Sequence, residues 1–164
     1  MARSASPGGP TTPATVALTS AGVAFTAHTY THDPASTNYG LEAAAALGLD
    51  PDRVFKTLLA ETVGSLAVGI VPVTGMLDLK ALAAALGTKR AVMADPALAE
   101  RKTGYVVGGI SPLGQKTTLP TVVDESAALW PTIFVSGGRR GFDIELAPGD
   151  LLALTHGQLA DIAR

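Results

Sequence analysis

Residues 54–61, VFKTLLAE, and 66–73, LAVGIVPV, are two apolar runs separated only by Thr62, Val63, Gly64 and Ser65. So short a link turns the second run back along the first, and the pair reads as a strand, a tight turn and an antiparallel strand. The rest of the chain has to be arranged around this hairpin. Before it, Thr12 and Pro13 form the N-cap and first position of a short helix ended by Gly22, with Val16 and Leu18 beginning its buried stripe. Residues 23–30 alternate as a half-buried strand, and an alanine-rich helix follows from Tyr39 to Leu47, capped by Asn38 and stopped by Gly48.

After the hairpin, Asp78 opens a second alanine-rich helix that stops at Gly87, residues 91–93 read as a short strand, and Asp95 with Pro96 starts a third helix that stops at Gly104. Residues 104–114, GYVVGGISPLG, hold four glycines and a proline in eleven positions, which no regular element tolerates, so they form a shaped loop. Residues 121–124, 132–136 and 142–146 are further strands, with 137–141 as a glycine-arginine turn, and a helix over 148–156 closes the chain. The order lacks strict βαβ alternation and predicts an α+β fold built on a mixed sheet in a single domain.

Composition narrows the function. The mean hydropathy is +0.32. No apolar run approaches the roughly 20 residues of a spanning helix, so a soluble protein away from membranes is expected. Twelve Lys and Arg against fourteen Asp and Glu leave a net charge of −2, which attracts no polyanion globally. The absence of cysteine removes disulfides, thiolate metal sites and a cysteine nucleophile. Residues 1–13, rich in Pro, Gly, Ser and Thr, read as a flexible tail before a domain over 14–164; they lack the apolar stretch of a signal peptide, so a cytoplasmic location is expected.

Few residues carry chemistry. Lys56 lies mid-strand on the face of Val54 and Leu58, where its stem packs on the sheet with the ammonium in water, or projects a cation toward a phosphate or carboxylate. Gly108 and Gly109, followed by Ile110, Ser111 and Pro112, form either a plain tight turn or a close-approach loop whose N–H groups hold an oxyanion. They match neither a P-loop nor a nucleophile elbow. Ser136, Arg139, Arg140 and Asp143 gather around one turn, as a polar pocket or a solvated hairpin tip. His28 and His32 lack the glutamate of a helix-borne zinc set, so no metal is expected. Asp124 and Glu125 point apart and do not form a catalytic pair.

Taken together, residues 36–43 (STNYGLEA), 53–58 (RVFKTL), 104–114 and 136–138 (SGG) resemble the YbaK/EbsC family of aminoacyl-tRNA deacylases, related to the editing domain of prolyl-tRNA synthetases, over about 13–164. The resemblance implies a partly barrel-like core flanked by helices and, in the YbaK branch, removal of cysteine mischarged on proline tRNA. It implies that Lys56 holds the 3′-terminal nucleotide through phosphate and that Gly108 and Gly109, in the loop running through Ile110 and Ser111 to Pro112, anchor the aminoacyl carbonyl. Tyr30, Tyr39, Thr57, Ser136 and Asp143 match pocket positions, with Tyr39 standing where some relatives carry phenylalanine. No cofactor is implied. The implied chemistry is attack by the substrate's own thiol, and the implied partners are mischarged tRNA and prolyl-tRNA synthetase. A deacylase for another mischarged tRNA, such as alanyl-tRNA(Pro), and a non-catalytic tRNA-end binding module are the alternatives.

Overall fold

The hairpin expected from the two apolar runs is the centre of the larger of two sheets. The computed structural model describes residues 9–164. In chain order these form α1 (Pro13–Ser20), β1 (Thr26–Thr29), α2 (Tyr39–Leu47), β2 (Phe55–Thr62), β3 (Ser65–Pro72), α3 (Leu79–Leu86), β4 (Ala91–Met93), α4 (Pro96–Thr103), β5 (Thr121–Asp124), β6 (Ile133–Arg139), β7 (Phe142–Leu146), α5 (Pro148–Thr155) and β8 (Gln158–Ala160). The larger sheet runs β4-β2-β3-β5-β8 and the smaller β1-β7-β6. β2 is antiparallel to β3 and β4, whereas β3, β5 and β8 run parallel, so the larger sheet is mixed, as expected. The sheets do not close into a barrel. Outside the ladders they meet at one isolated bridge, Val54 to Phe134.

Both faces of the hairpin are covered, as its apolar composition demands. Phe55, Leu59, Val68 and Ile70 pack against Ile133, Val135, Phe142 and Ile144 of the smaller sheet, which makes the main core. Ala60 and Val71 pack on the opposite side against Leu82 and Ala83 of α3, and Val54 and Val73 with Ala44 of α2 and Phe134. The helix ends follow local chemistry. The Asn38, Asp78 and Asp95 side chains accept the N-terminal N–H groups of α2, α3 and α4, and Gly48, Gly87 and Gly104 take the left-handed conformation that ends each.

Four expectations are corrected by packing. Val16 is 52% exposed; α1 buries Ala14, Thr15 and Leu18 instead. Residues 1–8 of the expected tail lie outside the described residues, but two of the others are packed: Gly9 sits where a side chain would meet Ala27 and Phe142, and the buried Thr12 hydroxyl donates to the Gly137 carbonyl. The 137–141 turn is tighter than expected. β6 continues to Arg139 through a bulge, the register passing from Ser136↔Asp143 to Arg139↔Phe142, because the Phe142 ring occupies the space a Gly137 side chain would need. β8 was not expected, since Gln158–Ala160 has no apolar alternation; it forms by pairing parallel to β5.

The chain end beyond β8 is held by Asp124, whose Oδ1 accepts the Ile162 and Ala163 N–H groups at 3.0 Å each while Oδ2 accepts the Ser126 N–H. Asp124 thus serves the fold. Asp124→Ala strands three backbone donors and is expected to cost on the order of 3 kcal/mol, read as a lower urea midpoint at unchanged slope.

Candidate functional site

Just past the Val54–Phe134 bridge a cleft of about 510 Å³ opens between β2, the smaller sheet, the start of α2 and the 104–114 loop. Its polar wall follows from strand register. His28, Asp143 and Ser136 are direct cross-strand neighbours and therefore share one face, while Phe142 and Ile144 turn to the core. Tyr30 extends this face, its N–H donating to the Gly141 carbonyl. Asp143 is only 6% exposed, and no hydrogen bond or ion pair among the described residues engages its carboxylate. Burial pushes its pKa up to about 7. Burial, reinforced by the Asp143 charge, raises Tyr30 to about 12.

Opposite, β2 contributes Lys56 and Thr57. The Thr57 Oγ1 is buried without a partner. Lys56 has no ion pair among the described residues, and burial lowers the pKa of its ammonium. No ion pair joins Lys56 to Asp143 among the described residues, and burial is the cause of both shifts.

The mouth is shaped by Tyr39. Its ring packs against the Arg140 guanidinium, 4.9 Å from the centroid, and against the backbone of Gly108, where a Cβ would stand 2.7 Å from the ring. The Arg140 Nε also donates to the Val107 carbonyl at 2.9 Å, tying the loop to the β6–β7 hairpin. Gly108 has φ +89, a conformation that favours glycine. Gly108 and Ile110 line the cleft, and their N–H groups make no hydrogen bond within the described residues. Met93, Ala94 and Pro96 form an apolar wall that the sequence did not disclose, because β4 is a three-residue edge strand.

The structure therefore brings Lys56, Thr57, Tyr30, Tyr39, Gly108, Ile110, Ser136 and Asp143 to one cleft. Gly109, Ser111 and Pro112 stand outside it. The Gly109 N–H is taken by the Val106 carbonyl, and a side chain there would strike the Arg139 backbone, so Gly109 is a packing glycine rather than an oxyanion donor. Ser111 is fully buried, its Oγ accepting the Leu113 N–H, and Pro112 is buried beside it; both support the loop from behind. Arg140 was readable only as part of a hairpin tip, since its stacking on Tyr39 needs the fold. His28 bonds Glu145 and His32 bonds Glu42, and among the described residues no group of three metal-ligating side chains forms.

The raised Asp143 pKa has a measurable consequence. The folded state holds this proton to about pH 7, whereas an unfolded aspartate releases it near pH 4, so the contribution is complete at low pH and lost as the pH rises through that window. Urea midpoints across pH 4–8 are expected to show this part of the decline in the wild type and not in Asp143→Asn.

Residues 33–154 match the family model described as an aminoacyl-tRNA editing domain. The chain is 45% identical over 122 residues, 73% of each chain, to the "Putative Cys-tRNA(Pro)/Cys-tRNA(Cys) deacylase EbsC" of Enterococcus faecalis (strain ATCC 700802 / V583). A solved "putative trans-editing enzyme for prolyl tRNA synthetase" superposes with a TM-score of 0.79 at 28% identity, covering 93% of this chain and 95% of that one. A solved "hypothetical protein" superposes at 0.84 with 22% identity, covering 93% of this chain and 100% of that one, which bears on the fold alone. None of the helices among the described residues is long and apolar enough to cross a membrane. By the family match and the 45% identical relative, the chain belongs to the aminoacyl-tRNA editing domain family, the kinship that residues 36–43, 53–58 and 104–114 announced.

Proposed function

We propose that the protein is a trans-editing deacylase that removes cysteine mischarged on proline tRNA. The observation that carries the reading is the make-up of the cleft: a lone ammonium at Lys56, unengaged N–H groups at Gly108 and Ile110, and two hydroxyls, Thr57 and Ser136, with no hydrogen bond to a base. Such a site can hold and polarise an ester, and neither hydroxyl is hydrogen-bonded to a base that would activate it to attack. The names carried by the similar proteins above, a cysteinyl-tRNA deacylase and a trans-editing enzyme, favour the same substrate class.

The attacking group then comes from the substrate. The cysteine sulfur bonds to the ester carbonyl carbon, the bond from that carbon to the terminal ribose oxygen breaks, and the thiol proton ends on the ribose hydroxyl. Free tRNA and a four-membered thiolactone result, with no change of oxidation state. Holding thiol and carbonyl in line supplies as much as roughly 7 to 11 kcal/mol of the barrier. Lys56 holds the terminal nucleotide through phosphate, and the Gly108 N–H faces the developing oxyanion. A net charge of −2 makes weak binding of free tRNA the expected behaviour, so a complex with prolyl-tRNA synthetase that presents the tRNA belongs to this reading. Tight tRNA capture at physiological salt without synthetase would remove that requirement.

In a panel of cysteinyl-, alanyl- and seryl-tRNA(Pro), the wild type is expected to act on the first alone. Lys56→Ala should lower kcat/KM by about 10- to 100-fold with an unchanged thermal melt. Preference for the alanyl form would keep the deacylase and discard the thiol mechanism; binding without turnover of any form would make the protein a tRNA-end binding module. Gly108→Ala, which drives a methyl group at Tyr39 from a positive φ, is expected to abolish most turnover while the circular dichroism spectrum is retained.

A further inference from the structure

The carboxylates of the described residues that are less than fully solvated are nearly all engaged. Glu42 accepts from His32 and the Asp33 N–H, Glu100 from the Val107 N–H, Glu145 bonds His28 and Thr132, and Asp124 holds the chain end. Asp143 differs. It is 6% exposed, lines the cleft, and has no such partner; Thr57, which lines the same cleft, also has a buried, unpartnered hydroxyl. Burying an uncompensated carboxyl is costly, and a site that keeps one facing a cleft is complementary to a cation entering from outside. The cations at hand do not fill it: Lys56 makes no ion pair with Asp143, Arg53 lies over the Trp130 and Phe134 rings, and Arg140 over Tyr39. Of the titratable groups on its own face, His28 pairs with Glu145 and Tyr30 stays a neutral phenol.

We infer that Asp143, in the cleft that Thr57 also lines, is a subsite for a primary ammonium group: the free α-ammonium of the aminoacyl ester. This rests on the proposed function and deepens it. With Lys56 apart in the same cleft, the site offers a carboxylate and an ammonium to a ligand carrying the complementary ammonium and phosphate. The neutral carboxylic acid that burial favours in the empty cleft ionises when the cation arrives, so the charge is formed only where it is matched. The chemical consequence is selection for a free amino group: chains whose amino group is blocked, or replaced by hydroxyl, are rejected whatever their side chain.

The test separates this subsite from the reading it rests on. Two non-hydrolysable probes are 3′-amino-3′-deoxyadenosine 5′-phosphate bearing cysteine or 3-mercaptolactate through an amide, which differ only in ammonium against hydroxyl. Calorimetric titration of the wild type at pH 7 is expected to give about tenfold or more tighter binding of the cysteinyl probe, with the preference lost in Asp143→Asn and in Asp143→Ser and the hydroxyl probe bound by each variant much as by the wild type. Equal binding of both probes by the wild type overturns the subsite and leaves the proposed function standing. A preference that survives in a variant with an intact thermal melt overturns the role of Asp143. Binding of neither probe overturns the proposed function and the subsite with it.

Discussion

The cleft exists because the two sheets share a core yet, beyond their ladders, touch at one bridge, Val54 to Phe134. Had β2 and β6 continued to pair, the edge of β2 would have been sealed and Lys56 and Ser136 drawn into a continuous barrel wall. They part, and the polar face of the smaller sheet is left fronting a space that α2 and the glycine loop roof over. The other face of that sheet carries Ile133, Val135, Phe142 and Ile144 into the main core. Strict alternation thus lets one strand, β7, anchor the fold through Phe142 and Ile144 and present Asp143 to the site.

The roof is held by sterics more than by hydrogen bonds. Gly108 lies so close to Tyr39 that no side chain fits between them, and the Arg140 guanidinium stacks over the same ring. Behind, Gly109 lies flush against the Arg139 backbone, and the buried Ser111 turns the chain by accepting the Leu113 N–H. The loop therefore divides its labour. Gly108 and Ile110 face the cleft, and the residues that look most functional by composition, Gly109, Ser111 and Pro112, are the support that fixes where those two point.

Electrostatically the site is costly to the fold. Lys56 and Asp143 are both desolvated, and each would be more easily borne if paired with the other. Leaving them unpaired sacrifices stability and keeps an ammonium and a carboxyl group free for a ligand, the trade-off found where binding and stability compete for the same residues.

Much of this was legible in the chain itself. Helix limits at Asn38 and Gly48, Asp78 and Gly87, Asp95 and Gly104 are local events, decided by a side-chain acceptor at one end and a tolerated positive φ at the other. The hairpin is local too, and so is the irregularity of 104–114, while short motifs around Tyr39, Lys56 and Gly108 carried the family. What sequence alone left open was every relation between distant segments: β8, which forms only because β5 offers an edge; the bulge at Gly137, dictated by the Phe142 ring; the stacking of Arg140 on Tyr39; and the sorting of Gly108 from Gly109. Caps and turns are set by neighbours a few residues away. Which carboxylate stays unpaired, and which N–H remains unengaged, depends on what the folded chain brings beside it, and that only the tertiary structure decided.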